Sequence, residues 1–468
     1  MCGMIPMDIS PHIFRAYDIR GLYNTDISPE LFYKIGVAAG TFTKKVLKGT
    51  RLTIGNDIRL SSPTLAHAFI AGVAATGIHV VYTGTTAFGQ TLYKGGELKH
   101  DLVAYVTASH LPAEWNGIKF YYGDGVGLNE QHLQQIRDFV LHNTGMVAEW
   151  NTIGTVTTVD ATASYKKYLT AKFRFKKKLR VALDCGGGSM TLSAPEIFTA
   201  VGLDMVPVFC EPDPLFSKRP SDPKPKNLTM LVDTVKKQKC AFGVAFDGDG
   251  DRAVIVDNTG KIFSADETGI IIGKHGLSQK KGTVIVNVEC SKAVPEQLNP
   301  LGYRVKQIQV GHTFLTLEAK QEKALLGIES SGHLILPEYF LFDDAIVVPL
   351  KIAQILETTG RSLHDLVTEI PMYPRRKEEI DCADQIKFQV IDQLKQDYSK
   401  AYPDVNTLDG IRVNLKEGWV LIRASNTSPI LRLTVEANTE ETAEKLYKTF
   451  HDHTQTTIQS VQQHAVKK

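Results

Sequence analysis

The sequence has few cysteines and none at metal-binding spacing. Its six cysteines lie far apart, at positions 2, 185, 210, 240, 290 and 382, and no Cys-x-x-Cys pair occurs. This pattern argues against a zinc motif or a disulfide framework. It is typical of a protein in a reducing compartment.

Long apolar runs and an excess of one charge are also missing. No apolar run approaches the roughly 20 residues that cross a bilayer, and prolyl and acidic residues interrupt residues 1–20, where a signal peptide needs a continuous apolar core. The formal net charge of +2 gives no electrostatic basis for binding nucleic acid or an acidic membrane. We therefore expect a cytoplasmic protein, a monomer or small homo-oligomer, that binds neither.

Length and element order indicate several α/β domains. The chain has 468 residues, 43% of them hydrophobic and 22% charged, so we expect two to four soluble globular domains. Predicted strands at 51–57, 79–82 and 102–106 alternate with helices that open at Ser28-Pro29 and Ser62-Pro63, each with serine as N-cap. Such alternation predicts βα units and a mostly parallel sheet, with a linker at 150–160. Hairpin-connected strands after residue 410 predict a small α+β domain.

The most informative stretch is Asp247-Gly248-Asp249-Gly250-Asp251-Arg252. Apolar runs at 242–246 and 253–256 flank it, which predicts a tight connection between two buried strands. Carboxylates at alternate positions can direct several oxygens at one hard cation such as Mg2+. Because unpaired carboxylates repel one another and are costly to desolvate, we predict a metal site there.

Three other interpretations of this run fit less well. A solvated Asp-Gly turn does not explain its place between hydrophobic strands. A calcium EF-hand needs glycine at the sixth loop position and a bidentate acid at the twelfth, where this chain has Arg252 and Asn258. The phosphatase-type Asp-x-Asp followed by threonine or valine is not matched either.

A second polar stretch, residues 107–119, follows the predicted strand at 102–106, where open α/β sheets place their chemistry. It contains Ser109, His110 and Lys119, which we expect to supply a hydroxyl, a titratable base and a cation within one loop. Ser109 as a helix cap is the alternative.

Two later loops carry clustered polar groups. Residues 327–333 present an acid, hydroxyls and an imidazole between apolar segments, which suits sugar recognition and equally suits a hydrogen-bonded turn. Residues 423–429 place a guanidinium and hydroxyl and amide donors after an apolar strand, which predicts an anion nest for phosphate, with an Asn-Thr turn as the alternative. The proline-rich segment 211–227 is predicted as a surface excursion that could lean over a cleft.

The residues of segments 107–119, 247–252, 329–333 and 423–427, and their order along the chain, resemble the α-D-phosphohexomutase superfamily over essentially the whole chain. The amino-terminal segment 14–21 and the Arg-Ala-Ser-Asn-Thr motif look most like its bacterial phosphomannomutase/phosphoglucomutase branch. The resemblance implies an α/β fold with three similar mixed α/β domains around a cleft and a C-terminal α+β domain. We expect domain limits at 1–155, 156–258, 259–372 and 373–468.

The resemblance also implies an activity. A phosphoserine at Ser109 exchanges a phosphoryl group with a hexose phosphate, mannose and/or glucose phosphate, between C1 and C6, with a hexose 1,6-bisphosphate as intermediate and activator. Mg2+ is held by Asp247, Asp249, Asp251 and the phosphoserine. Arg20 and Arg252 correspond to positive residues near the transferring phosphoryl.

The remaining roles are implied in the same way. Lys119, with His110 and His333 nearby, is the candidate general acid or base. The implied substrate contacts are Tyr17, which packs the cleft, the sugar-reading Glu329, Ser331 and His333, and the phosphate-binding Arg423, Ser425, Asn426 and Thr427.

This chain departs from the family pattern in places. Leu111 stands where the family usually has Asn in Ser-His-Asn-Pro, which changes the loop's hydrogen bonding but spares the serine. Arg432 has a spacing nearer the phosphoglucosamine branch. Mannose, glucose and glucosamine phosphates therefore all stay open as substrates, and a phosphatase or a non-catalytic sugar-phosphate binder would use the same parts.

Overall fold

The computed structural model describes residues 11–15, 17–278, 281–425 and 429–466. Four β-sheets follow one another along this part of the chain, and helices cover each of them. The predicted α/β class with a distinct C-terminal α+β domain is confirmed.

The first sheet is mixed, with strand order β1-β5-β4-β2-β3-β6. Its strands are β1 (Asp18–Leu22), β2 (Arg51–Asn56), β3 (His79–Thr85), β4 (Leu102–Val106), β5 (Trp115–Tyr122) and β6 (Val156–Thr158). Its helices are α1 (Pro29–Lys45), α2 (Ser62–Ala75), α3 (Phe88–Glu97) and α4 (Glu130–Leu141). β4, β2, β3 and β6 are parallel, whereas β5 runs antiparallel to both β4 and β1.

β5 corrects the prediction that Lys119 lies in the same loop as Ser109. Asn116 and Gly117 near its start are typical of turns, yet Gly117 pairs with Arg20 of β1. Lys119 therefore lies in the middle of a strand. Its side chain is fixed by the sheet, and the serine loop does not position it.

Two further expectations for this domain need correction. Ser28 caps α1 as predicted, since its Oγ accepts the Leu31 N–H. Ser62, in contrast, is the first residue of α2, and its hydroxyl donates to Asp57 Oδ1 at 2.5 Å instead of capping the helix. The predicted linker at 150–160 contains β6, which pairs with β3.

The second and third sheets each have four strands, in the orders β10-β9-β7-β8 and β12-β11-β13-β14. Their strands are β7 (Arg180–Asp184), β8 (Asp204–Val208), β9 (Phe242–Phe246), β10 (Ala253–Asp257), β11 (Gly282–Asn287), β12 (Tyr303–Ile308), β13 (Leu326–Ile328) and β14 (Leu334–Ile335). Their helices are α5 (Thr162–Lys172), α6 (Ala194–Ala200), α7 (Thr229–Lys237), α8 (Ala265–His275), α9 (Ala293–Leu298), α10 (His312–Gln321), α11 (Val347–Thr359) and α12 (Leu363–Val367). In both sheets one antiparallel edge strand joins an otherwise parallel set.

The C-terminal sheet is wholly antiparallel, in the order β15-β19-β18-β17-β16. Its strands are β15 (Arg375–Asp381), β16 (Val405–Asn406), β17 (Ile411–Leu415), β18 (Gly418–Ala424) and β19 (Ile430–Ala437). Helices α13 (Lys387–Ala401) and α14 (Glu440–Val466) pack on it through a separate hydrophobic core.

One hydrophobic cluster connects the first three domains. It includes Phe88 of the first, Val244 of the second and Ile328 of the third, all fully buried. A shared core of this kind holds the loops at the strand ends in fixed relative positions. Among the described residues, no helix is long and apolar enough to cross a membrane.

Candidate active site

The loop that carries Ser109 meets the loop that carries the three aspartates. The serine loop, residues 107–114, follows β4, and the aspartate loop, residues 247–252, connects β9 to β10. Ser109 Oγ donates to Asp247 Oδ2 at 3.1 Å, and both side chains are fully buried. Residues 138 positions apart in the chain are thus in direct contact, as the metal prediction requires.

Ser109 has an unusual backbone conformation. Its φ is +52°, in the left-handed region that residues other than glycine rarely adopt. Its N–H donates to Thr107 Oγ1 at 2.8 Å, and its Oγ lies 3.4 Å from His110 Nδ1. Strained conformations of this kind persist where the surroundings impose them, and they are concentrated at functional sites.

The three aspartates form a buried oxygen cluster. One carboxylate oxygen from each of Asp247, Asp249 and Asp251 lies within 4.8 Å of the others. Asp249 Oδ1 and Asp251 Oδ1 are buried without a hydrogen-bond partner in the part of the chain that the structure describes. Burial, together with the charges of the other two aspartates, raises the pKa of Asp247. Close, desolvated carboxylate oxygens fit a hard divalent cation such as Mg2+.

Lys119 is the counter-ion of this cluster. Its Nζ donates to Asp251 Oδ2 at 2.5 Å and to Asp249 Oδ2 at 3.1 Å, and the residue is 1% exposed. Burial opposes its charge, but the two carboxylates outweigh burial and raise the pKa of Lys119. In this arrangement Lys119 holds its proton, and its role as a general acid or base stays a prediction.

Arg252 joins the aspartate loop to the third domain. Its Nε donates to His333 Nε2 at 2.9 Å and lies 3.9 Å from Asp247 Oδ2. His333 Nδ1 contacts Asp343 Oδ2, and burial lowers the pKa of His333 to about 4. Burial raises the pKa of Asp343 to about 7. His333 is therefore neutral and held between an arginine and a carboxyl group.

Positive charge surrounds the serine loop. Arg20 lies on β1, with its Nε 2.7 Å from Asp18 Oδ2 and its Nη1 3.5 Å from the Ala108 carbonyl. The charge of Arg252, then burial, then the charge of Arg20 lower the pKa of His110. Arg20, His110 and Arg252 therefore lie close to one another beside Ser109.

The loop at 327–333 directs its acid inward. Glu329 Oε2 accepts the Gly311 N–H at 3.1 Å, and Glu329 Oε1 accepts the Ser331 hydroxyl at 2.7 Å. Tyr17 of the first domain donates its hydroxyl to the Val310 carbonyl at 2.7 Å. Tyr17 thus connects the first domain to the third beside Glu329.

Arg423 is the penultimate residue of the buried strand β18, beside the predicted anion nest. Its Nε donates to Glu289 Oε1 at 2.9 Å, and its Nη1 lies 4.0 Å from Asp409 Oδ2. Burial opposes the charge of Glu289, but Arg423 and Lys377 outweigh burial and lower its pKa to about 2. Ser425 donates its N–H to the Ile430 carbonyl at 3.0 Å. Asn426 and Thr427 lie outside the described residues.

A cavity of about 870 Å3 lies beside the buried serine and aspartates. It is lined by polar residues from the serine, aspartate, 327–333 and 423 segments, namely His110, Arg252, Glu329, Ser331 and Arg423. This volume is in the range of small-molecule sites. Residues 222–225 of the proline-rich segment also line it, as predicted.

The family models match this chain domain by domain. They are described as phosphoglucomutase/phosphomannomutase alpha/beta/alpha domains I, II and III and the C-terminal domain, and they match residues 11–145, 163–260, 264–373 and 379–453. The chain belongs to the phosphoglucomutase/phosphomannomutase family. The resemblance found in the sequence is confirmed.

Relatives in this family cover nearly the whole chain. A phosphomannomutase/phosphoglucomutase of Pseudomonas putida is 33% identical over 455 residues, 96% of this chain and 97% of that protein. A probable phosphoglucosamine mutase of Methanopyrus kandleri is 32% identical over 460 residues, 96% of this chain and 99% of that protein. The crystal structure of a phosphoglucomutase/phosphomannomutase family protein from Burkholderia thailandensis has a TM-score of 0.88 at 25% identity, covering 97% of this chain and 98% of that chain.

Several polar residues of this phosphoglucomutase/phosphomannomutase family site have no counterpart in the sequence predictions. Glu289 contacts Arg423, Asp343 contacts His333, and Asp57 accepts the Thr107 hydroxyl at 2.7 Å. Asp57 directly follows β2 at the carboxyl edge of a parallel sheet, which is a signal that the sequence contains. Glu289 has its partner 134 positions away in the chain, and no local pattern in the sequence indicates either Glu289 or Asp343.

Proposed function

We propose that this protein is a phosphohexomutase that moves a phosphoryl group reversibly between C1 and C6 of a hexose phosphate, mannose and/or glucose phosphate. The observation that carries the proposal is the 3.1 Å contact of Ser109 Oγ with Asp247, beside a cavity that both His110 and Arg423 line. The names of relatives at 32–33% identity support the same mutase class. The protein acts on small molecules and in the cytoplasm.

In the proposed reaction Ser109 carries the phosphoryl group. A free hydroxyl of the bound hexose phosphate attacks phosphorus, the bond from phosphorus to Ser109 Oγ breaks, and a hexose 1,6-bisphosphate forms. The bisphosphate reorients in the cleft, and its other phosphoryl group returns to Ser109. Arg20, Arg252 and His110 lie where they would face the charge of the transferring group.

Asp247, Asp249, Asp251 and the phosphoserine would hold Mg2+. The cation withdraws negative charge from the transferring phosphoryl group. A hexose 1,6-bisphosphate acts as activator because it can phosphorylate Ser109. Lys119, with His110 and His333 nearby, exchanges the proton of the reacting hydroxyl in this scheme.

The remaining residues would bind and orient the sugar. Arg423, with Ser425, Asn426 and Thr427, holds the phosphate that is not transferred. Glu329, Ser331 and His333 contact sugar hydroxyls, and Tyr17 packs against the substrate.

The test is product analysis with three substrates. The protein is incubated with Mg2+, a trace of glucose 1,6-bisphosphate and mannose, glucose or glucosamine 1-phosphate, and both 6-phosphate and inorganic phosphate are measured. We expect 6-phosphate from mannose or glucose 1-phosphate and none from a Ser109→Ala control. Inorganic phosphate as the main product would indicate a phosphatase, and binding without turnover a sensor.

Glucosamine phosphate is the second candidate substrate. The Methanopyrus kandleri relative is as similar as the Pseudomonas putida relative, and Arg432 lines the same cavity. Turnover of glucosamine 1-phosphate well above that of the other two sugars would favour this candidate.

A further inference from the structure

Arg59, which the proposed chemistry leaves without a role, lies fully buried behind the serine loop. A guanidinium is costly to bury unless its donors are satisfied. In this structure every N–H of Arg59 has an acceptor oxygen. Arg59 Nε donates to Asp57 Oδ2 at 3.0 Å, and the terminal nitrogens donate to main-chain carbonyls, at 2.8 Å to Ser109, 2.7 Å to Leu111, 3.3 Å to Trp115 and at short range to Pro112.

Asp57 fixes the orientation of this guanidinium. Its two oxygens also accept the Ser62 hydroxyl at 2.5 Å, the Arg59 N–H at 3.0 Å and the Thr107 hydroxyl at 2.7 Å. Thr107 in turn accepts the Ser109 N–H. The buried Arg59–Asp57 ion pair therefore contacts the serine loop in two ways. Arg59 donates to main-chain carbonyls of the loop, and Asp57 accepts the hydroxyl of Thr107, which in turn accepts the Ser109 N–H.

The second domain holds the same loop from outside. Ser221 Oγ lies 2.6 Å from the His110 carbonyl and 2.8 Å from the Leu111 carbonyl, and it donates its proton to this pair. Phe216 places its ring 5.1 Å from the Arg59 guanidinium carbon. The hydrogen bonds that Arg59 and Ser221 donate to residues 109–115 all reach main-chain carbonyls, so they do not depend on which side chain stands at position 111.

We propose that Arg59, held by Asp57 and assisted by Ser221, is a positioning residue that imposes the left-handed conformation of Ser109 and so directs its Oγ at the aspartate loop. This inference rests on the proposed function for its catalytic consequence. Misplacing a reacting group by about 1 Å can cost on the order of 100-fold in rate.

The test compares Arg59→Lys and Ser221→Ala with Arg375→Gln. Lysine keeps the charge but has too few donors for these acceptors. Arg375 serves as the matched control because it is a mostly buried, ion-paired arginine, 2.7 Å from Glu436 Oε2, outside the cleft. Calorimetry shows that each variant is folded, and if Arg59→Lys does not fold, Ser221→Ala decides the result.

Two measurements are made on each variant. Amide hydrogen exchange should increase in the peptide containing residues 107–115 for Arg59→Lys and, to a smaller extent, for Ser221→Ala, but not for Arg375→Gln. In the mutase assay kcat should fall about 100-fold for Arg59→Lys, with KM within about threefold, since the substrate contacts are intact.

The two readouts separate the two proposals. Unchanged exchange in the serine loop, or a kcat loss that Arg375→Gln shares, overturns the role of Arg59. A wild-type protein without mutase activity overturns the proposed function, while the exchange measurement still decides whether Arg59 orders the loop.

Discussion

Replacing Lys119 with methionine tests whether the aspartate cluster is built for a cation. Lys119 is 1% exposed and its ammonium donates to both Asp249 and Asp251, so Lys119→Met leaves two buried carboxylates without their counter-ion. Breaking a buried ion pair in this way costs about 3–5 kcal/mol. With a shift of roughly 2–4 °C per kcal/mol, the first calorimetric unfolding transition should fall by about 10 °C in EDTA.

Mg2+ should reverse most of that loss. At a concentration about 100 times its dissociation constant, a ligand specific to the folded state adds about 2.7 kcal/mol. Because Lys119 already neutralises two of the carboxylates that would hold the cation, Mg2+ should also raise the transition more in Lys119→Met than in the wild type. Calorimetry in EDTA and in Mg2+ measures both effects.

Lys351→Met is the control for this experiment. Lys351 is also buried, but its Nζ lies 3.3 Å from Tyr339 Oη and 3.6 Å from Glu338 Oε2. The fall in the unfolding transition caused by Lys351→Met should therefore be the same with and without Mg2+. An equal effect of Mg2+ on the wild type, Lys119→Met and Lys351→Met would refute the reasoning.

Three further predictions concern the nucleophile, the phosphate contact and a buried acid. Ser109→Ala should abolish turnover while substrate affinity, measured by calorimetric titration, stays within about tenfold, because only the phosphoryl carrier is removed; residual turnover would contradict the role of Ser109. Arg423→Gln should raise KM by about 10-fold to 100-fold through the loss of a charge-assisted contact. Adding Glu289→Gln should restore thermal stability but not KM. An unchanged KM for Arg423→Gln in steady-state kinetics would show that Arg423 does not bind the substrate phosphate. Burial raises the pKa of Asp344 to about 7, above its unfolded value near 3.9, so the stability that its proton supplies at low pH is lost as pH rises towards 7. Asp344→Asn keeps the Tyr165 contact without titrating, so the variant should be more stable than the wild type at pH 8 but not at pH 4. Equal shifts of the unfolding temperature at both pH values would contradict this.

The sequence predicted the local parts of the site because their signals are local. Alternate carboxylates between apolar runs, and a serine after a buried strand, are visible without any partner. The 3.1 Å contact between Ser109 and Asp247 follows once both loops are placed at the carboxyl edges of their sheets.

What sequence reasoning missed depends on contacts between distant segments. β5 looked like a continuation of the serine loop because Asn116 and Gly117 favour turns, and only pairing with β1 and β4 makes it a strand. Arg59 was not predicted, since its burial depends on carbonyls from residues 109–115 and an aromatic ring of the second domain. Packing between distant segments leaves no pattern in the local sequence, so the sequence alone gives no signal for it.

The chemistry requires a phosphoryl group on one serine next to a bound cation, so locating that group is the most direct test. The protein is incubated with glucose 1,6-bisphosphate and Mg2+, digested and mapped by mass spectrometry, with Ser109→Ala treated in parallel. We predict one phosphoryl group on the peptide containing Ser109, which disappears when a hexose monophosphate is added in excess. No phosphate on that peptide, or a phosphate that the sugar does not remove, would contradict the proposed reaction.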